Sequence, residues 1–210
     1  MPDTVSLILT DKEKDRSDKL ISYILFAYYI LGFVFAFFYD TWTIAIGVGS
    51  LSLVAFYSAK AFLPKSNLYQ YVLSIVLGIY MAQFIFQMHG LFEMHFFAFI
   101  GSAILIIYQN WRLQIPMLLF VIIHHGLFGY LQNIGFDDIY FTQLGYLELQ
   151  TFIIHILLAA AIFLICAVWS HELKRYKQLQ TRYDQEVAKL QKEAVLSAER
   201  KRSKDLLQKK

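Results

Sequence analysis

The sequence lacks most of the features by which soluble enzymes are recognised. It contains a single cysteine, Cys166, which excludes a disulfide framework within one chain. We expect this cysteine to pack as an apolar side chain. No Walker, Rossmann or hydrolase motif is present, and there is neither an internal repeat nor a low-complexity stretch. Soluble-enzyme chemistry is therefore not expected in this chain.

Apolar residues are what the sequence has in abundance. They make up 58% of the 210 residues, and this share is far above that of a soluble domain. A helix needs roughly 20 apolar residues to cross about 30 Å of hydrocarbon. Runs of this length occur at 20–39, 43–63, 70–89, 92–109, 114–132 and 149–170. The sequence therefore predicts an all-α fold built as a six-transmembrane-helix bundle.

Lysine and arginine are missing from every second connection between the predicted spans. The loops without cations carry acidic residues instead. The cations outside the tail are Lys12, Lys14, Arg16, Lys19, Lys60, Lys65 and Arg112, and the other twelve follow the sixth span. Because Lys and Arg are retained on the cytoplasmic side, both termini are predicted to be cytoplasmic. The net charge of +3 then reflects topology and anionic lipid headgroups, so no nucleic-acid partner is expected.

Histidines gather in the outer half of the predicted bundle. Counted at 1.5 Å per residue, four of them lie between about 5 and 14 Å from the outer ends of spans four, five and six. These four are His95, His124, His125 and His155. His89 lies at the surface, and His171 follows the last span. Polar side chains at such depth are costly, so the cluster is a candidate functional site.

The chemistry of these residues favours a transition metal. His124 and His125 point about 100° apart on a helix, so together they can embrace a central site. With His95 and His155 they form a ligand set for copper, which is favoured, or for zinc or iron. Haem b is the rival cofactor, because two histidines on facing helices can ligate its iron. In a third interpretation the histidines merely hydrogen-bond across helices.

Additional ligands are available at the turn before span four. The candidates are Met88, His89, Glu93 and Met94. Methionine sulfur and imidazole are donors that copper uses, although methionine is also an ordinary gap filler in a core. Glu93 points about 200° away from His95 on a regular helix, so it joins the site only if the helix start is irregular.

The membrane part contains two further groups of polar or aromatic residues. Gln83 and Gln87, one turn apart in span three, are expected to hydrogen-bond within the bundle. The external loop 132–147 is predicted to lie on the bundle or to cap it, because its aromatic residues are typical of a membrane interface. These aromatic residues are Phe136, Tyr140, Phe141 and Tyr146.

Beyond His171, apolar residues recur every three or four positions among many charges. They are Tyr176, Leu179, Tyr183, Val187, Leu190 and Ala194. This pattern predicts a cytoplasmic amphipathic helix that pairs as a coiled coil in a parallel homodimer. The predicted organisation is a cytoplasmic N-terminal segment at 1–19, a six-helix membrane sensor domain at 20–170 and a signal-transmitter helix at 171–210.

Four motifs between residues 80 and 172 together resemble a known kind of domain. They are Gly90-Leu91-Phe92-Glu93-Met94-His95-Phe96-Phe97, Tyr108-Gln109-Asn110-Trp111-Arg112, His124-His125-Gly126 and Ile154-His155. The chain resembles the six-span sensory input domain of bacterial signalling proteins, which precedes chemoreceptor, histidine-kinase or class III adenylate cyclase modules. Asn110 departs from the Asp expected before Trp-Arg. The resemblance implies a sensor in the bacterial inner membrane, with the four histidines as its site and Glu93 in support.

The end of the tail carries a second resemblance. Residues 199–207 are similar to the transducer element that joins membrane domains to class III nucleotide cyclases. The chain stops before any catalytic sequence, so it is not expected to be an enzyme itself. A cytoplasmic output domain, such as a cyclase or kinase, is expected to follow in the full-length protein.

Two alternatives belong to other classes of protein. The first is a receptor for a small amphipathic signal of the quorum-sensing type, in which the histidines only line a pocket. The second is a haem-containing membrane protein that transfers electrons. The long tail argues against electron transfer, because that activity needs no amphipathic cytoplasmic helix.

Overall fold

The structure is a computed structural model that describes residues 4–63, 66–143 and 148–208. Two residues named above, Lys65 and Tyr146, lie outside these ranges. The same holds for the first three residues of the predicted N-terminal segment and the last two of the predicted transmitter helix. The described residues form helices and turns and no β-strand, so the predicted all-α class is confirmed. The α-helices within these ranges are α1 (Thr4–Tyr39), α2 (Trp42–Phe62), α3 (Leu68–Gln87), α4 (Phe96–Leu105), α5 (Gln114–Asn133) and α6 (Leu149–Gln208).

The chain divides into two compact units, Met1–Ser170 and His171–Lys210. In the described ranges, five helical segments are long and apolar enough to cross a membrane, judged by length and composition. They are Lys14–Tyr39, Trp42–Phe62, Leu68–Gln87, Trp111–Asn133 and Leu149–Gln208. These segments have the character of a multi-pass membrane protein. Cys166 is a free cysteine and is buried in α6. This burial agrees with the expectation that it packs as an apolar side chain.

The fourth predicted span, 92–109, is not a single regular α-helix. It begins as a 3₁₀-helix at Phe92–His95, continues as α4, and becomes a 3₁₀-helix again at Ile106–Tyr108. The left-handed backbone of Gln109, with φ of 51°, ends it. The whole segment is apolar but shorter than the five segments above. The six-span arrangement therefore stays a prediction.

Helix α3 is the centre of the first unit. In the apolar stretch of α3, 67% of the residues are buried. The corresponding share is 17–39% in the other four long segments. Gly78 lets α5 approach closely, because a Cβ at this position would lie 2.7 Å from Cδ1 of Phe120. Small residues at such contacts are how helices pack when lipid supplies no hydrophobic driving force.

Amide side chains also tie α3 to its neighbours. Gln83 Nε2 donates to Gln87 Oε1 at 2.9 Å, and Gln87 Nε2 donates to the Gly32 carbonyl at 2.8 Å. Gln87 Nε2 lies 3.2 Å from Thr41 Oγ1, to which it also donates. The expectation that these glutamines bond within the bundle is confirmed.

A buried carboxylate links the N-terminal end of α3 to three further segments. Asp18 of α1 is 6% exposed and accepts hydrogen bonds from the hydroxyls of Tyr69, at 3.0 Å, and Tyr108, at 2.7 Å. Lys60 Nζ of α2 lies 3.1 Å from Asp18 Oδ2. The charge pattern groups Lys60 with the loop cations, whereas the structure pairs it with this acid. A buried charge is tolerated when it is paired and hydrogen-bonded in this way.

Replacing this carboxylate should destabilise the first unit. In Asp18→Asn the ammonium of Lys60 loses its counter-charge and the two tyrosines share a weaker acceptor. Breaking a buried pair costs about 3–5 kcal/mol, and the partial exposure of Lys60 favours the lower end, about 3 kcal/mol. The midpoint of unfolding in detergent, followed by circular dichroism, measures this loss. Asp15→Asn, on the exposed side of the same helix, is the control; equal midpoints for both variants would contradict the role of Asp18.

Candidate functional site

Three histidines from three different segments lie in mutual contact. His95 ends the 3₁₀-helix before α4, His125 belongs to α5, and His155 belongs to α6. Their ring centroids are 5.2 Å apart for His95 and His125, 5.8 Å for His95 and His155, and 5.5 Å for His125 and His155. The structure thus brings together residues that are far apart in the sequence. We call these three and His124 the histidine cluster.

His124 joins the cluster through its neighbour. Its ring centroid lies 5.5 Å from that of His125, and its ring stacks on Phe128 at 4.5 Å. The residue is 5% exposed, and its Nδ1 atom has no hydrogen-bond partner. Buried polar atoms in proteins are nearly always bonded, so this nitrogen requires an explanation.

The hydrogen bonds of the cluster determine which ring nitrogens are free. The Nδ1–H of His125 donates to the Val121 carbonyl at 2.8 Å, and the Nδ1–H of His95 donates to the Phe92 carbonyl at 3.2 Å. Since Nδ1 carries the proton in both rings, the lone pair of each neutral ring lies on Nε2. Both bonds stay within the segment that carries the histidine, and neither joins two helices.

Aromatic side chains surround the cluster. The ring of Phe141 is 3% exposed and lies 5.4 Å from His95, 5.7 Å from His124 and 5.2 Å from His125. On another side, the centroid of Phe92 is 5.9 Å from those of both His95 and His155. The imidazoles are therefore held among aromatic carbon atoms.

The side chain of Gln132 attaches the part of the loop that carries Phe141 to α5. Gln132 Oε1 accepts hydrogen bonds from the backbone amides of Phe141 and Thr142, both at 2.9 Å, and Gln132 Nε2 donates to the Thr142 carbonyl at 2.7 Å. The backbone amide of Gln143 donates to the Gly90 carbonyl at 3.2 Å. Gly90 has φ of 76°, and a Cβ there would come within 2.7 Å of the Thr142 backbone. The segment predicted to cap the bundle does so through Phe141.

The additional ligand candidates lie in different surroundings. His89 stacks between Tyr39 and Tyr140, with both centroid distances 3.9 Å. Glu93 is exposed, Met94 packs against the apolar core, and Met88 follows the last residue of α3. The structure therefore gives His89 a packing role between two tyrosines.

A metal-binding geometry is not formed in the described ranges. No three His, Cys, Asp or Glu side chains there are arranged to hold a metal ion. The rings of the histidine cluster contact one another as aromatic groups, with an interplanar angle of 88° between His95 and His155 and 21° between His125 and His155. A ligand role for these residues stays a prediction.

The predicted signal-transmission residues belong to the second unit, His171–Lys210. All of them are exposed there, with fractions between 39% and 67%. They are Tyr176, Leu179, Tyr183, Val187 and Leu190. A series of exposed apolar side chains on one helix is typical of an interaction surface.

Two features of the first unit, one of them next to the site, have no signal in the sequence. One is the carboxylate network of Asp18, and the other is the attachment of the loop by Gln132. Asp18 bonds to tyrosines 51 and 90 positions away, and Gln132 bonds to backbone amides. Neither kind of contact leaves a pattern in a single sequence.

Comparison of the chain with protein-family models, with curated proteins and with solved structures finds no match. Function is therefore argued from the residues of the site, since a helical bundle by itself hosts many unrelated functions.

Proposed function

We propose that this chain is a sensory membrane domain whose histidine cluster binds a transition-metal ion, with copper preferred to zinc and iron. The contact of His95, His125 and His155 carries this proposal. Imidazoles bound to one ion at about 2.0–2.1 Å have ring centroids roughly 5 to 6 Å apart. The separations of 5.2, 5.5 and 5.8 Å lie in this range. Binding of an ion would require the side chains to adjust so that their nitrogens point to a common position.

The hydrogen bonds of the cluster support ligation through Nε2. Metal-binding histidines usually donate their other ring N–H to a carbonyl or carboxylate, which sets the tautomer and the ring orientation. His95 and His125 both donate Nδ1–H to backbone carbonyls. The unpartnered Nδ1 of His124 supports this residue as a fourth ligand, because coordination would satisfy it.

Ring contacts favour a bare ion over haem. The imidazoles touch one another and Phe141, so a porphyrin would have to separate rings that are now in contact. A bare ion needs no such separation. Copper is preferred because nitrogen sites bind Cu²⁺ more tightly than Zn²⁺ or Fe²⁺.

The dimensions of residues 92–108 support a sixth crossing of the membrane. A 3₁₀-helix rises about 2.0 Å per residue and an α-helix about 1.5 Å. With 3₁₀-helix at both ends, Phe92–Tyr108 is roughly 29 Å long, close to the hydrocarbon thickness of about 30 Å. Six crossings agree with the alternation of cations between the loops and with cytoplasmic termini in a bacterial inner membrane.

Helix α6 provides the route by which occupancy would be signalled. It carries His155 of the cluster and, later in the same helix, the exposed apolar series from Tyr176 to Leu190. Ligand binding shifts a conformational equilibrium when the ligand prefers one of two arrangements. Here the two arrangements are two positions of α6. As the resemblance implies, a parallel dimer would transmit the change of position to a cyclase or kinase output domain.

Copper binding should depend on the cluster. We expect stoichiometric copper in the purified chain after supplementation, measured by elemental analysis. His95→Ala and His125→Ala should each weaken binding by more than the roughly 10–100-fold that loss of a second-shell partner costs. His171→Ala, at an exposed position outside the cluster, should bind as wild type does.

The same preparation separates the alternatives. A Soret band in the absorption spectrum would identify haem as the cofactor. Wild-type protein that holds neither haem nor copper, zinc or iron after supplementation would contradict the proposal and favour an organic signal.

Pairing of the tail should depend on its apolar series. Leu190→Glu places a charge in the predicted seam and should convert a dimer to a monomer, since apolar seam residues hold coiled coils together. Gln191→Glu adds the same charge at the adjacent exposed position and should leave the dimer intact. Native mass spectrometry of the full chain in detergent measures the mass. A wild-type monomer would contradict dimerisation.

A further inference from the structure

The ring of Phe141 occupies the side of the histidine cluster that faces the loop between α5 and α6. It contacts three of the four imidazoles and is almost completely buried. The ring therefore covers these three imidazoles on one side. The neighbouring loop residue Phe136, in contrast, is 59% exposed.

The backbone that carries this ring is attached through side-chain and turn hydrogen bonds. Residues 140–142 have no regular secondary structure, and the side chain of Gln132 makes three hydrogen bonds with the backbone of Phe141 and Thr142. Tyr140 has φ of 49°, a conformation that costs free energy in a residue with a side chain. The ring of Tyr140 stacks on that of His89. Loops outside regular secondary structure belong to the part of a structure that opens most readily.

We infer that Phe141 controls entry of a ligand into the histidine cluster, and that Gln132 is the positioning residue that keeps Phe141 in its seat. The inference rests on the proposed function for the identity of the ligand, a transition-metal ion. The ring of Phe141 shields the imidazoles of His95, His124 and His125 while it stays in its seat, so a ligand reaches them after the ring has moved.

Chemical labelling without any metal tests this inference. Diethyl pyrocarbonate acylates accessible neutral imidazole nitrogens, and peptide mass spectrometry measures the rate at each histidine of the full chain in detergent. In the wild type, His95, His124 and His125 should react slowly and the exposed His171 quickly. Phe141→Ala should raise the rates at the three cluster histidines at least about tenfold and leave the rate at His171 unchanged.

Matched variants separate opening of the loop from general damage. Phe136→Ala removes the same ring from an exposed position of the same loop and should label as wild type does. Gln132→Ala leaves the ring of Phe141 present but removes its attachment, and should raise the same three rates. Cys166 is 7% exposed, and its slow alkylation in every variant shows that the helices remain packed.

Unchanged labelling of the cluster in both Phe141→Ala and Gln132→Ala would overturn the inference. Because no metal is added, this result is independent of whether the cluster binds copper. Failure of the copper experiment with successful labelling would remove the proposed ligand and leave the role of Phe141 intact.

Discussion

Several polar side chains in the described part of the first unit have partners on other segments, and α3 takes part in many of these hydrogen bonds. In hydrocarbon there is no water to satisfy a hydroxyl or an amide, so an unpaired group is costly. Tyr69 bonds to Asp18 of α1, Ser74 Oγ donates to the Leu113 carbonyl at 2.6 Å, and Gln87 reaches Gly32. These bonds hold the neighbouring segments around one buried helix. The positions of the histidines depend on that arrangement.

The histidine cluster differs from these pairs in what its hydrogen bonds do. The glutamines and tyrosines join helices, whereas His95 and His125 bond to carbonyls in their own segments. The hydrogen bonds of His95 and His125 therefore do not join helices, although both side chains are buried in the bundle. Polar side chains buried among apolar helices are costly, and this cost makes the cluster a candidate functional site.

Much of the fold could be predicted from the lengths of apolar runs. The second predicted span, 43–63, corresponds to α2 at Trp42–Phe62, and the fifth, 114–132, to α5 at Gln114–Asn133. The fourth run was expected to form one regular helix and instead has 3₁₀-helix at both ends. Composition reports that a segment is apolar, but Gln109 and the hydrogen bond of Tyr108 to Asp18 decide where its last turn ends.

For the candidate site, too, some features follow from the local sequence pattern and others only from tertiary contacts. Which residues are histidines, and on which helices they stand, could be read from the sequence, because depth along a helix follows from counting residues. That His89 stacks between two tyrosines, and that Phe141 rather than Phe136 is seated against the imidazoles, could not. Such contacts depend on how each helix is rotated and on hydrogen bonds between distant residues, such as those of Gln132. The chain's own pattern therefore determined its helices, and only tertiary packing decided which of their side chains meet.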